Sequence, residues 1–92
     1  MKTFDVIEKE LSFLSPDALM ADGFEDALIG YCQIFNKIVS LYDLDKCTEI
    51  LVERDGMSEE EAMEYLEFNV LGAYVGEHTP AYATIGRSVR EL

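Results

Sequence analysis

The chain opens with apolar residues at Phe4, Ile7, Leu11 and Leu14, spaced three, four and three apart, with Asp5, Glu8, Lys9 and Ser12 between them. That stripe predicts an amphipathic helix, with Thr3 placed to cap its start. In "SPDALMADG", Ser15 can cap, Pro16 fits a first helical position where no amide is needed, and Asp17 suits the positive helix end. Gly23 can close the turn, so a short second helix or a single turn is expected.

From Phe24 the period changes. "ALIGYCQIF" and "KIVSLYD" are rich in β-branched and aromatic residues and are joined by Asn36-Lys37, a tight-turn pair, so they predict an antiparallel hairpin. Leu28, Cys32 and Ile34 alternate with Ile29, Tyr31 and Gln33, which makes both faces of the first arm partly apolar. Gly30, in mid-strand, marks either a bulge or the close approach of a helix.

"DLDKCTEILVERDG" reads as a helix capped by Asp43, with Leu44, Cys47, Ile50 and Leu51 on one face and Asp45, Glu49 and Glu53 on the other. Gly56 can take the left-handed position that ends it. Ser58 with Glu61 forms a capping box and Met57 with Ala62 a hydrophobic staple, so a second helix follows within about two residues and the pair is an αα-hairpin. At about 100° per residue, Leu66, Asn69, Val70 and Ala73 cluster with Ala62 and are assigned to the core. Glu60, Glu64 and Glu67 lie opposite, while Leu71 and Val75 project to nearly that same far side, flanked by Phe68 and Tyr74. A helix apolar all round is normally buried, so Leu71 and Val75 call for cover by the N-terminal helix, the C-terminal tail or another chain. Cover from within the chain is favoured, because the Phe4-Ile7-Leu11 stripe needs a destination.

Past Gly76, Thr79-Pro80 ends any helix, Ala81 to Ile85 suits a short edge strand, and Arg87 and Arg90 give the tail its basic character. There is no internal repeat. The expected fold is α+β in a single domain, residues 1–92: an antiparallel β-hairpin over residues 27–43 packed against an αα-hairpin of 44–55 and 58–75, with an additional N-terminal helix.

Composition supports a globular domain: 92 residues, 49% hydrophobic and 11% aromatic, supply enough apolar surface for one core. No apolar run reaches the roughly 20 residues of a spanning helix, and "MKTFDVIEKEL" is acidic where a secretory signal is basic and then apolar. A cytoplasmic protein without membrane partners is expected. Cys32 and Cys47 lack C-x-x-C spacing and read as small buried hydrophobes in a reducing compartment. Nineteen acidic residues against seven basic give a net charge of −12, which disfavours direct nucleic-acid binding and favours a basic partner, although solubility alone also calls for charge.

Catalytic patterns are missing. His78 sits beside Glu77 in a polar loop with no nucleophile placed near it, and no G-x-G-x-x-G, P-loop or H-E-x-x-H pattern occurs. Asp43-x-Asp45 with Glu49 offers hard oxygens of the kind Mg²⁺ or Ca²⁺ takes, yet the calcium-loop glycine is lacking and helix capping accounts for these carboxylates; neither metal nor cofactor is assigned. From Asp43 to Glu67, by contrast, ten acidic residues face two basic ones, Lys46 and Arg54, a local charge of about −8. Either this is a solvated face that complements the helix dipoles, or it is a partner-binding face carried by Glu49, Glu53, Glu60, Glu64 and Glu67 that loosely imitates a run of phosphates. Leu71, Tyr74 and Val75 form an apolar interface for a partner or for a second copy in a homodimer.

"GFEDALIGY", "YDLDKC" and "ERDGMSEEEA…EFNVLGAYVGE-TP" resemble a family of small, uncharacterised acidic proteins encoded by bacteriophages and some prokaryotic genomes, over roughly Gly23 to Pro80. The resemblance implies a phage or mobile-element context and an accessory protein acting on a host component, with no activity to carry over. The function expected is therefore a non-enzymatic accessory module that binds a host protein and blocks a basic, nucleic-acid-handling one. The alternative is a small-ligand or enzymatic site between hairpin and helices, where Tyr31, Tyr74 and His78 would converge.

Overall fold

In the computed structural model, which describes residues 4–85, the first apolar stripe winds into α1, Phe4–Leu14, and buries Ile7 and Leu11. Thr3, Arg87 and Arg90 lie outside the described residues. The stripe is spent on the sheet, where α1 packs on β1 (Leu28–Ile34) and β2 (Lys37–Asp43). That placement leaves Leu71 and Val75 exposed.

Between α1 and the sheet the chain makes a single turn and no second helix: the Ala18 amide donates to the Ser15 carbonyl at 3.0 Å. It then runs irregularly to a 3₁₀ turn, Glu25–Ala27. Irregular backbone against a core must find hydrogen-bond partners, and here side chains supply them. The Tyr42 hydroxyl accepts the Ala21 amide at 2.8 Å, Ser40 Oγ donates to the Leu19 carbonyl at 2.7 Å, and Arg54 Nη1 donates to the Gly23 carbonyl at 2.7 Å. Ser40 and Tyr42 are both fully buried on the central strand.

β1 and β2 pair antiparallel with Ile34 opposite Lys37, so the turn is Phe35-Asn36, one residue earlier than expected. Phe35 takes φ 57° and stands 93% exposed, a strained setting for a bulky residue that the two-residue loop imposes. At Gly30 the register shifts, and a Cβ there would meet nothing within 4 Å; the glycine marks a bulge and no helix crowds it. Of the two cysteines only Cys47 is fully buried; Cys32, on β1, is partly exposed. β3, Ala81–Ala83, lies parallel to β2 on its other side, so the sheet is mixed with β2 at its centre. A parallel neighbour requires a crossover, and the helical pair forms it.

α2, Leu44–Asp55, begins where Asp43 Oδ1 accepts the amides of Asp45 and Lys46, and ends at Gly56 in the left-handed conformation, φ 69°. α3, Glu59–Leu66, carries the capping box: Ser58 Oγ accepts from the Glu61 amide at 3.1 Å and Glu61 Oε1 accepts from the Ser58 amide at 2.9 Å. The second bond lowers the Glu61 pKa. One cluster joins these elements to the sheet, with Ile7, Phe24, Leu28, Tyr42, Cys47, Leu51, Ala62 and Leu66 among its members.

The last helix does not run to residue 75. After Leu66 it opens into one π turn, Glu67–Leu71, and stops at Gly72, where an added Cβ would lie 3.1 Å from the Glu67 carbonyl, a closer approach than most side chains make. The wider turn breaks the 100° phase. Val70 still packs on the core, but Asn69 and Ala73, assigned to it by phase, are exposed. Leu71, Tyr74 and Val75 are 46%, 77% and 62% exposed, so the described residues, α1 among them, do not bury them; the C-terminal tail, the other cover expected from within the chain, lies outside the described residues.

Replacing Tyr42 by Phe leaves the Ala21 amide without its partner and is expected to destabilise the protein by about 1–3 kcal/mol in urea unfolding, with faster hydrogen exchange at Ala21. Unchanged exchange there would refute the role of the hydroxyl. Alkaline pH offers a second check. Burial pushes the Cys47 thiol and the Tyr82 phenol up to about 12 and raises Tyr42 as well. The unfolded groups ionise first, from their ordinary 9.0 and 10.0, so stability is complete below about pH 8.5 and declines as pH rises from about 9 towards 12. A urea midpoint constant to about pH 11 would contradict these burials.

Candidate partner-binding site

The cap at Asp43 sets the rotational phase of α2, and two lanes follow from it. Asp45, Glu49 and Glu53 recur every four residues on the exposed side, and Leu44, Thr48 and Val52 recur beside them. Thr48 turns its hydroxyl back to the Leu44 carbonyl at 3.3 Å, leaving its methyl to the lane. Across the hairpin, α3 and its π turn present Glu59, Met63, Leu66, Glu67 and Leu71. These residues and Thr84, just past β3, line an open groove of about 750 Å³. Its floor is aliphatic and thioether; among the described residues its rims hold five carboxylates and no basic side chain.

Both basic residues of the hairpin are engaged. Lys46 Nζ sits 3.2 Å from Glu49, whose hydrogen bond raises the lysine's pKa. Arg54 donates from Nε and Nη2 to Asp55, at 3.0 Å each, and lies with its guanidinium carbon 5.9 Å from the Phe24 ring centroid, away from the groove. Among the described residues Asp45, Glu53, Glu59 and Glu67 form no ion pair.

Of the acidic face expected from sequence, Glu49, Glu53 and Glu67 meet in this groove together with Leu71, whereas Glu60 is exposed outside it and Glu64 lines a separate hollow with Tyr65 and Phe68. Val75 lines a third, beside Met20 and Val70. Asp45 and Glu59 belong to the rim but were not assigned to the face; the 45/49/53 lane was the signal for the first. Tyr31, Tyr74 and His78 do not gather. Tyr31 lines a hollow of about 650 Å³ against α1 with Val6, Phe13 and Leu14, Tyr74 projects outward, and the His78 carbonyl accepts the Leu19 amide at 3.3 Å. Asp43 is occupied as a cap, and among the described residues no three His, Cys, Asp or Glu side chains are grouped to hold a metal ion. No helix of the described residues is long and apolar enough to cross a membrane.

Comparison of the chain with protein-family models, with curated proteins and with solved structures finds no match.

Leu71 is half exposed at the groove's end, so Leu71→Ala is expected to lower stability by under about 1 kcal/mol, well short of the 2–5 kcal/mol of a buried leucine. A melting curve showing the larger loss would mean that Leu71 is covered in solution.

Proposed function

We propose that the protein is a non-enzymatic binding module that captures a basic protein through the acidic groove of its α2–α3 hairpin. The observation that carries this reading is the rim of five carboxylates around an apolar floor, with a single ion pair among them. Helix stability does not account for all five. Asp45 and Glu59 sit at helix starts, where the dipole favours anions, but Glu53 lies in the last turn of α2, where it disfavours them, and Glu67 stands where α3 passes into its π turn, away from either helix end. A like-charged cluster held against that preference supports a role in attracting a cation-rich surface. The family resemblance at "ERDGMSEEEA" and "YDLDKC" supports a phage or mobile-element accessory protein working in the host cytoplasm, and the target of that reading is a basic, nucleic-acid-handling host protein whose binding surface is blocked.

The test is capture of basic nucleic-acid-binding proteins from host lysate on the immobilised chain, followed by elution with salt and with duplex DNA. Retained proteins are expected to release between low salt and about 0.5 M, to compete with the duplex, and to be lost on an E49Q/E53Q/E67Q bait. That bait should fold normally, because exposed charges contribute little to stability. Capture indifferent to salt, or undiminished on the substituted bait, would refute the proposal.

A further inference from the structure

We infer that the α2–α3 groove receives one amphipathic helix of its partner, cationic along one edge and apolar on the face turned to the floor. The inference rests on the reading of the acidic hairpin as the working face and specifies what that face holds. Three features select a helix. The carboxylates of Asp45, Glu49 and Glu53 repeat at about 6 Å, four helical rises, so Lys or Arg at the same interval on a parallel or antiparallel helix meets each of them. From Leu44 to Glu53 the groove runs about 14 Å, which holds about two and a half turns. The floor, where Met63 and Leu71 are exposed and Val52 is half-buried beside them, matches residues at i, i+3 and i+7 of such a helix and has no use in a surface that only imitates phosphates. Met63, 58% exposed and unbranched, adapts to whatever side chain arrives.

Charge selects the partner's sign and disfavours a second copy seated through α1. α1 has an exposed apolar edge at Val6, Phe13 and Leu14, and beside that edge it carries Asp5, Glu8 and Glu10 against Lys9. Laid on the groove it would bring carboxylate to carboxylate.

The experiment uses two fluorescent peptides of about 14 residues, a length that is barely helical alone. One places Leu at i, i+3 and i+7 and Lys along one edge; the other scrambles the same composition. Anisotropy on the full chain is expected to give the amphipathic peptide an affinity at least about tenfold higher, with a gain of helical circular dichroism. Met63→Glu, which adds negative charge but spoils the floor, should abolish that preference while leaving the scrambled peptide's affinity no weaker. Glu49→Gln with Glu53→Gln should weaken both peptides. Equal binding of the two peptides, lost in the glutamine variant, would overturn the helix inference and leave the acidic-face reading standing; absence of binding by either would overturn both. Two other occupants have their own signatures, and each would also overturn the inference. They are an affinity raised about tenfold by Arg87→Gln with Arg90→Gln, which gives the groove to the chain's own end, and a dimer by size exclusion that the peptide dissociates.

Discussion

Tyr42 holds the fold together because its ring fills the core while its oxygen accepts the Ala21 amide at 2.8 Å. An irregular segment can lie against a hydrophobic core only if its polar backbone is satisfied there, and a tyrosine reaching from a central strand does this without interrupting the packing. The same ring stacks on Tyr82, centroids 5.5 Å apart, directly across the parallel pairing of β2 with β3. One side chain thus fastens the segment before the sheet and the strand after the helices. With both ends of the crossover fixed on β2, the αα-hairpin has one position available to it, and the groove keeps its shape.

The groove illustrates how a local rule becomes a surface. Capping by Asp43 and by Ser58 with Glu61 fixes which way each helix faces, and the four-residue recurrence then lays carboxylates in one lane and aliphatic groups in the next. Neither lane is unusual alone. Set against α3, they enclose a strip that is oily at the bottom and anionic at the edges, a combination that water alone does not call for.

Features set by neighbours in sequence were legible before the structure: the caps at Asp43 and Ser58, the left-handed Gly56, the short connection between α2 and α3, and the edge strand near Ala81. What depended on distant partners was not. The α1 stripe found the sheet in place of Leu71 and Val75, because nothing in a one-dimensional pattern says which apolar face meets which. The phase of residues 69–75 was misjudged for a different reason: Gly72 lets the backbone close on the Glu67 carbonyl and the helix widens just before it, so counting at 100° per residue fails after Leu66. The groove itself was half visible, since the 45/49/53 lane is plain in sequence while its apolar neighbour lane and the facing Glu59 and Met63 acquire meaning only once two helices are side by side.

The sheet's edges bear on how much of this protein a cell can hold. β3 offers three residues to any incoming strand, and β1 is bent by its bulge at Gly30, so neither edge is a good template for strand addition. Mutual repulsion at a net charge of −12 works in the same direction. If the chain acts as proposed, by occupying its target, it has to match that target mole for mole, and resistance to aggregation is what would allow it to accumulate to that level.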